Sequence, residues 1–87
     1  MKPKTLDIGD SKGRRSEKKE FAAKIGKHLR VIRKSKKISQ EDLSEKAGYY
    51  RTYVGKIEQG LYSPSTHTIW RLSHALGMSL SDFFRGF

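Results

Sequence analysis

The feature that most narrows the fold is the way short apolar stripes of helical spacing are separated by serines and glycines. Ser39, Ser65 and either Ser79 or Ser81 stand where a hydroxyl can accept a backbone N–H at a helix start. Asp42, three residues after Ser39, completes a capping-box-like pair. Gly48, Gly60 and Gly77 stand where such helices stop. Between these marks lie Leu43 and Ala47, then Val54 and Ile57, then Ile69, Leu72, Ala75 and Leu76, all at inward-facing helical spacing. Upstream, Phe21, Ile25, Leu29 and Ile32 step by four, four and three, which predicts one buried stripe on a first helix beginning at Ser16. Glu17 and Glu20 would fall in its first turn, where the helix dipole favours acids. Helices are expected over Gln40–Lys46, Arg51–Gln59 and from Ser65 to Gly77, with a last short turn through Asp82, Phe83 and Phe84. One of Phe83 and Phe84 should fill the core. No segment alternates with period two, so the fold class is all-α with five short helices.

Charge sets the partner. The 87 residues, one domain's worth, carry 19 Lys plus Arg against 9 Asp plus Glu, a formal net charge of +10. Hydrophobic residues make up 34%, enough for one small core. Cysteine is absent, which excludes disulfides, thiol catalysis and Cys-based zinc sites. No apolar run is long enough to span a bilayer, and the start has no signal-peptide core. A cytoplasmic protein with a polyanionic partner and no membrane is expected. Residues 1–15 hold few large aliphatics and are expected to be a disordered, flexible basic tail ahead of a domain over 16–87. Between Lys24 and Lys37 basic residues occur with no acid, a run that a solvated helix face explains as readily as a binding face.

The short helices around Ala47-Gly48-Tyr49-Tyr50 have the proportions of a helix-turn-helix, in which the second helix enters the DNA major groove. With Leu43, Ala47, Val54 and Ile57 inward, Arg51, Thr52 and Lys56 point outward, and Tyr53 and Gly55 lie obliquely. Arginine can bond guanine bidentately, and a threonine methyl can touch thymine. Tyr53 can pack on the second helix as readily as touch DNA.

The stretch Ile25-Gly26, Leu29, Ile32-Arg33, Ile38-Ser39-Gln40-Glu41-Asp42-Leu43, Gly48, Ile57-Glu58-Gln59-Gly60, Pro64-Ser65, Leu72 and Ala75-Leu76-Gly77 resembles the phage repressor and Cro type (XRE family) of helix-turn-helix domains. Arg51-Thr52-Tyr53-Val54 also resembles restriction–modification controller proteins. The resemblance implies a compact five-helix DNA-binding domain working as a homodimer on palindromic operators, bacterial or phage-encoded. It implies that Gln40 bonds a phosphate and reaches the base contact of Arg51, and that Ser39 presents backbone N–H groups near the phosphate. Arg51, Thr52 and Lys56 would contact bases, with Tyr53 and Tyr62 at the backbone. Arg33 and Glu58 would form a structural salt bridge. Leu80, Phe84 and Phe87, near the helix 5 through which the family commonly dimerises, would form the interface, although Phe87 reads equally as a frayed end. Two departures stand out: Tyr50 replaces the usual cap of the recognition helix, and Gly55 replaces a small polar residue.

Other features carry less. His28, His67 and His74 lack the partners of a metal site, although His67 and His74 can share a helix face. Trp70 reads as a packing residue beside the core stripe. The tyrosines lie in a turn and on a helix, unlike a sheet that stacks single-stranded bases. No catalytic spacing, metal or cofactor is indicated, and an enzyme is not expected. The alternative reading is an antitoxin or protein-interaction module with a toxin or other protein partner.

Overall fold

The computed structural model describes residues 11–87 and consists, over them, of α1 (Ser11–Ser35), α2 (Gln40–Lys46), α3 (Tyr53–Glu58), α4 (Thr66–Ala75) and α5 (Leu80–Phe84), with no strand. The all-α, five-helix architecture is the one expected. Of the expected tail, residues 1–10 lie outside the described residues, and residues 11–15 belong to α1. Starting at Ser11 rather than Ser16, α1 has no acid in its first turn, so Glu17 and Glu20 lie further along it.

Serine hydroxyls accept the N–H groups that open α2, α4 and α5: Ser39 from Asp42, Ser65 from Thr68 and Ser79 from Asp82. Ser79, not Ser81, is the last of these caps. Gly48, Gly60 and Gly77 take positive φ after α2, α3 and α4. Lys37 does the same after α1 with φ 57, without a glycine to mark the stop.

The core gathers Ile25, Leu29, Leu43, Val54, Ile57, Ile69, Leu72 and Phe83. On α1 the buried line is Ala22, Ile25, Leu29 and Arg33, not one through Phe21. Phe21 is 43% exposed although Ala22 beside it is buried; it meets Phe87 edge-on at 5.8 Å. Gly26 lets α1 and α3 touch backbone to backbone, since a Cβ there would lie 2.4 Å from the Ile57 carbonyl oxygen. Trp70 is not a packing residue: it is 44% exposed on the outer face of α4, between His67 and His74 at 6.1 and 4.2 Å. Phe83 is the aromatic that fills the core, and His28 Nε2 hydrogen-bonds its carbonyl oxygen.

Candidate nucleic-acid interface

Two helices, α2 and α3, form the helix-turn-helix, and a buried serine joins them. Ser44 Oγ donates to the Gln40 carbonyl at 2.7 Å and accepts the Val54 N–H at 2.9 Å. The α3 N-terminus therefore draws its side-chain acceptor from α2. Thr52, in the cap position, makes no side-chain capping bond, and Tyr50 lies outside the helix. Arg51 and Thr52 belong to the turn before α3, which begins at Tyr53 rather than Arg51. Ser44 was the residue least visible in sequence; its place beside Leu43 was the available signal.

A second lock ties α3 to α1 and α2. Arg33 Nε donates to Glu58 Oε2 at 2.6 Å and Nη2 to Glu58 Oε1 at 3.0 Å, while Nη1 reaches the Ile38 carbonyl at 2.9 Å. The pair is enclosed, with side-chain exposures of 10% and 2%. The hydrogen bonds to Glu58 hold the Arg33 pKa above its usual value, against the opposing effect of burial. Gln40 Nε2 donates to the same Glu58 Oε1 at 2.9 Å, and its amide lies along Gly55, where a Cβ would come within 3.1 Å of Gln40 Oε1. The structure thus brings Gln40 to Glu58 and Gly55, not to Arg51.

Arg51 and Thr52 are exposed, and Lys56 is half-buried one turn on. Arg51 Nη1 contacts Glu45 Oε1 at 3.2 Å, with both side chains more than half exposed, 62% and 51%, so this pair is weak and easily exchanged. Tyrosines wall one side of this edge. Tyr53 stacks on Tyr49 with centroids 4.4 Å apart and meets Tyr50 and Tyr62 at 5.4 and 5.8 Å. Tyr50 Oη donates to Tyr62 Oη at 3.1 Å, and this bond is the main cause that pushes the Tyr50 pKa up to about 12. Tyr49 and Tyr53 stack on each other, while Tyr50 and Tyr62 stay exposed at the rim. Tyr49 Oη reaches Thr68 at 3.2 Å, and the Arg71 guanidinium lies over the Tyr49 ring while its Nε donates to the Ala47 carbonyl at 2.9 Å.

At the other end, Leu80, Phe84 and Phe87 are half-buried against their own core. Phe87 is an ordered part of the fold. It meets Phe84 at 5.5 Å and His28 at 5.3 Å, with Lys24 Nζ 4.6 Å from its ring centroid. Phe21 joins this aromatic group, a membership the sequence pattern hid by assigning it to the core. Among the described residues no cluster of His, Cys, Asp and Glu is arranged to hold a metal, and no helix is long and apolar enough to cross a membrane.

Comparison with known proteins agrees with this geometry. Residues 29–83 match the family model HTH_3, helix-turn-helix, which leaves residues 11–28 of α1 outside the match. The chain is 39% identical over 57 residues to the immunity repressor protein of Bacillus phage phi105, covering 66% of this chain but only 40% of that repressor. It is 40% identical over 59 residues to the control protein C.BamHI of Bacillus amyloliquefaciens, covering 67% of this chain and 73% of that one. The crystal structure of the restriction-modification controller protein C.AhdI from Aeromonas hydrophila superposes with a TM-score of 0.71 at 35% identity, over 76% of this chain and 96% of that one. None of these three is described as an antitoxin, so the toxin-partner reading gains nothing from them.

Proposed function

This chain belongs to the helix-turn-helix family of XRE-type transcriptional regulators, and from that premise we propose that it binds a palindromic DNA operator in a sequence-specific way as a homodimer. The observation that carries the reading is the edge formed by exposed Arg51 and Thr52, in the turn that opens α3, and half-buried Lys56 one turn on, with the angle of α3 held by Ser44 and by the Arg33–Glu58–Gln40 network. Arg51 and Thr52 meet base edges, Lys56 a base or the facing strand, and Tyr53 and Tyr62 the sugar-phosphate backbone. Ser39 and Gln40, at the start of α2, approach a phosphate, for which the Gln40 amide turns from Glu58. The dimer contact uses Leu80, Phe84 and Phe87 with Phe21, which sets the two recognition helices about 34 Å apart, one DNA turn.

Selection of bound sequences from a random duplex pool tests specificity, and sedimentation with and without the selected site tests the dimer. The expected outcome is an enriched palindrome bound by two chains. A pool that stays random after selection removes the specific reading.

A further inference from the structure

The N-terminal half of α1 takes no part in the interface above and precedes the stretch common to the family. Along it, charge is sorted by face. Arg15, Lys18, Lys19 and Ala22 recur at i, i+3, i+4 and i+7 and line one groove of 560 Å³ together with Gly60, Leu61 and Ser63. Glu17, Glu20, Phe21 and Lys24 recur at the same spacing and line a different groove. At about 100° per residue the two sets lie on opposite sides of the helix, so both carboxylates of this segment face away from Ser63. Among the described residues, Arg15, Lys18 and Lys19 have no carboxylate within ion-pair distance.

The other wall of the basic groove is the loop that leaves α3. Gly60 rests on Ala23 of α1, where its Cβ would be 3.5 Å from the Ala23 Cα. Tyr62 of the same loop meets Tyr53 of α3 at 5.8 Å and the Tyr50 hydroxyl at 3.1 Å. One loop therefore separates the base-reading edge from the basic groove. A duplex that receives α3 in its major groove carries a phosphate strand along each side of that helix, within reach of side chains beyond the loop. The cations are exposed, and no buried side-chain polar atom among the described residues lacks a partner. Such a surface suits a line of repeated phosphates better than a single small anion, which needs a preformed pocket.

We propose that Arg15, Lys18 and Lys19, with the Ser63 hydroxyl, form a second contact to the backbone phosphates of the bound duplex, outside the bases read by α3. The proposal rests on the DNA-binding reading above and extends its footprint. These contacts add affinity and salt sensitivity but no sequence information.

The test uses the full chain, a selected duplex and a random duplex of equal length, with affinity measured from about 50 to about 200 mM salt. The triple variant Arg15→Ala/Lys18→Ala/Lys19→Ala should reduce the slope of log affinity against log salt by roughly 2–3 on both duplexes, about 0.9 for each lost phosphate contact. The ratio of specific to random binding should stay constant, and a hydroxyl-radical footprint should lose protection at its outer edge. Glu17→Gln/Glu20→Gln, on the opposite face, should leave slope and footprint unchanged. Circular dichroism confirms that each variant is folded, and Lys19→Ala alone should lower the slope by about 0.9 if the triple variant is not. A slope equal to that of the unaltered chain on both duplexes overturns the proposal, and so does a changed sequence preference. If the unaltered chain selects no sequence, the specific-regulator reading falls while the slope on random duplex still decides the groove.

Discussion

At its C-terminal end α3 is enclosed: Ile57 is fully buried, the Glu58 side chain keeps 2% exposure, and the backbone lies against Gly26. At the other end, within the length of a helix of six residues, Arg51 and Thr52 stand exposed and no side chain of their own caps the helix. The first end can be held by polar bonds because water is excluded there, so each donor has one partner geometry available. The second must stay solvated until a ligand replaces the water. On the function proposed above, stability rests on Glu58 and recognition on Arg51, and variants should separate along that line.

The largest effect is expected at the enclosed end. Glu58→Ala leaves the Arg33 guanidinium without its carboxylate and frees Gln40, and should cost about 3–5 kcal/mol of stability, read as a lower denaturation midpoint. Measured at a temperature where the variant is still folded, DNA affinity should also fall, since the network holds the angle of α3, but by less than the stability does. A variant that kept its stability and lost only binding would break the comparison.

Ser44→Ala probes the joint between the two ends. It removes the acceptor of the buried Val54 N–H and should cost about 1–3 kcal/mol in a denaturant titration, because that donor has no water to turn to. Since Ser44 also sets where α3 begins, this variant should weaken DNA binding as well, unlike a purely structural core change. Arg51→Ala should leave the denaturation midpoint unaltered, its ion pair with Glu45 being exposed. It should cost roughly 1–3 kcal/mol on the selected site and relax one base position. Equal weakening on selected and random duplexes would remove Arg51 from the base-reading set.

The sequence made the elements legible through local chemistry. Ser39, Ser65 and Gly48 act within one turn of themselves, so their effect on helix ends can be read without knowing the fold. Phe21 and Trp70 were misplaced for the opposite reason: which of two adjacent apolar residues faces inward depends on the elements that cover the helix, and the local pattern does not carry that. Phe21 adjoins buried Ala22 and Trp70 adjoins buried Ile69, and both themselves end up exposed. Ser44 and Gly26 escaped because their roles are contacts with α3, and a small residue at a crossing looks like any other small residue. Arg33 and Glu58 were placed together only by the family resemblance; nothing in a spacing of 25 residues joins them.

The smallest expected effect lies at the open end and is read by pH. Tyr50 donates a hydrogen bond to Tyr62 that only its protonated hydroxyl can make, and its pKa is pushed from the ordinary tyrosine value of 10.0 up to about 12. The sign follows directly. The folded state holds the proton more tightly than the unfolded chain, so the bond's contribution is complete below pH 10.0 and is lost as pH rises towards about 12. Near neutral pH the contribution is constant, and because the ring is at the surface it is small. An absorbance titration should show a late ionisation step near pH 12, and Tyr50→Phe should remove it. The same titration curve with and without Tyr50→Phe, apart from amplitude, would mean that the hydroxyl pair is open in solution, and that the wall beside Arg51 is looser than the enclosed end by more than exposure alone requires.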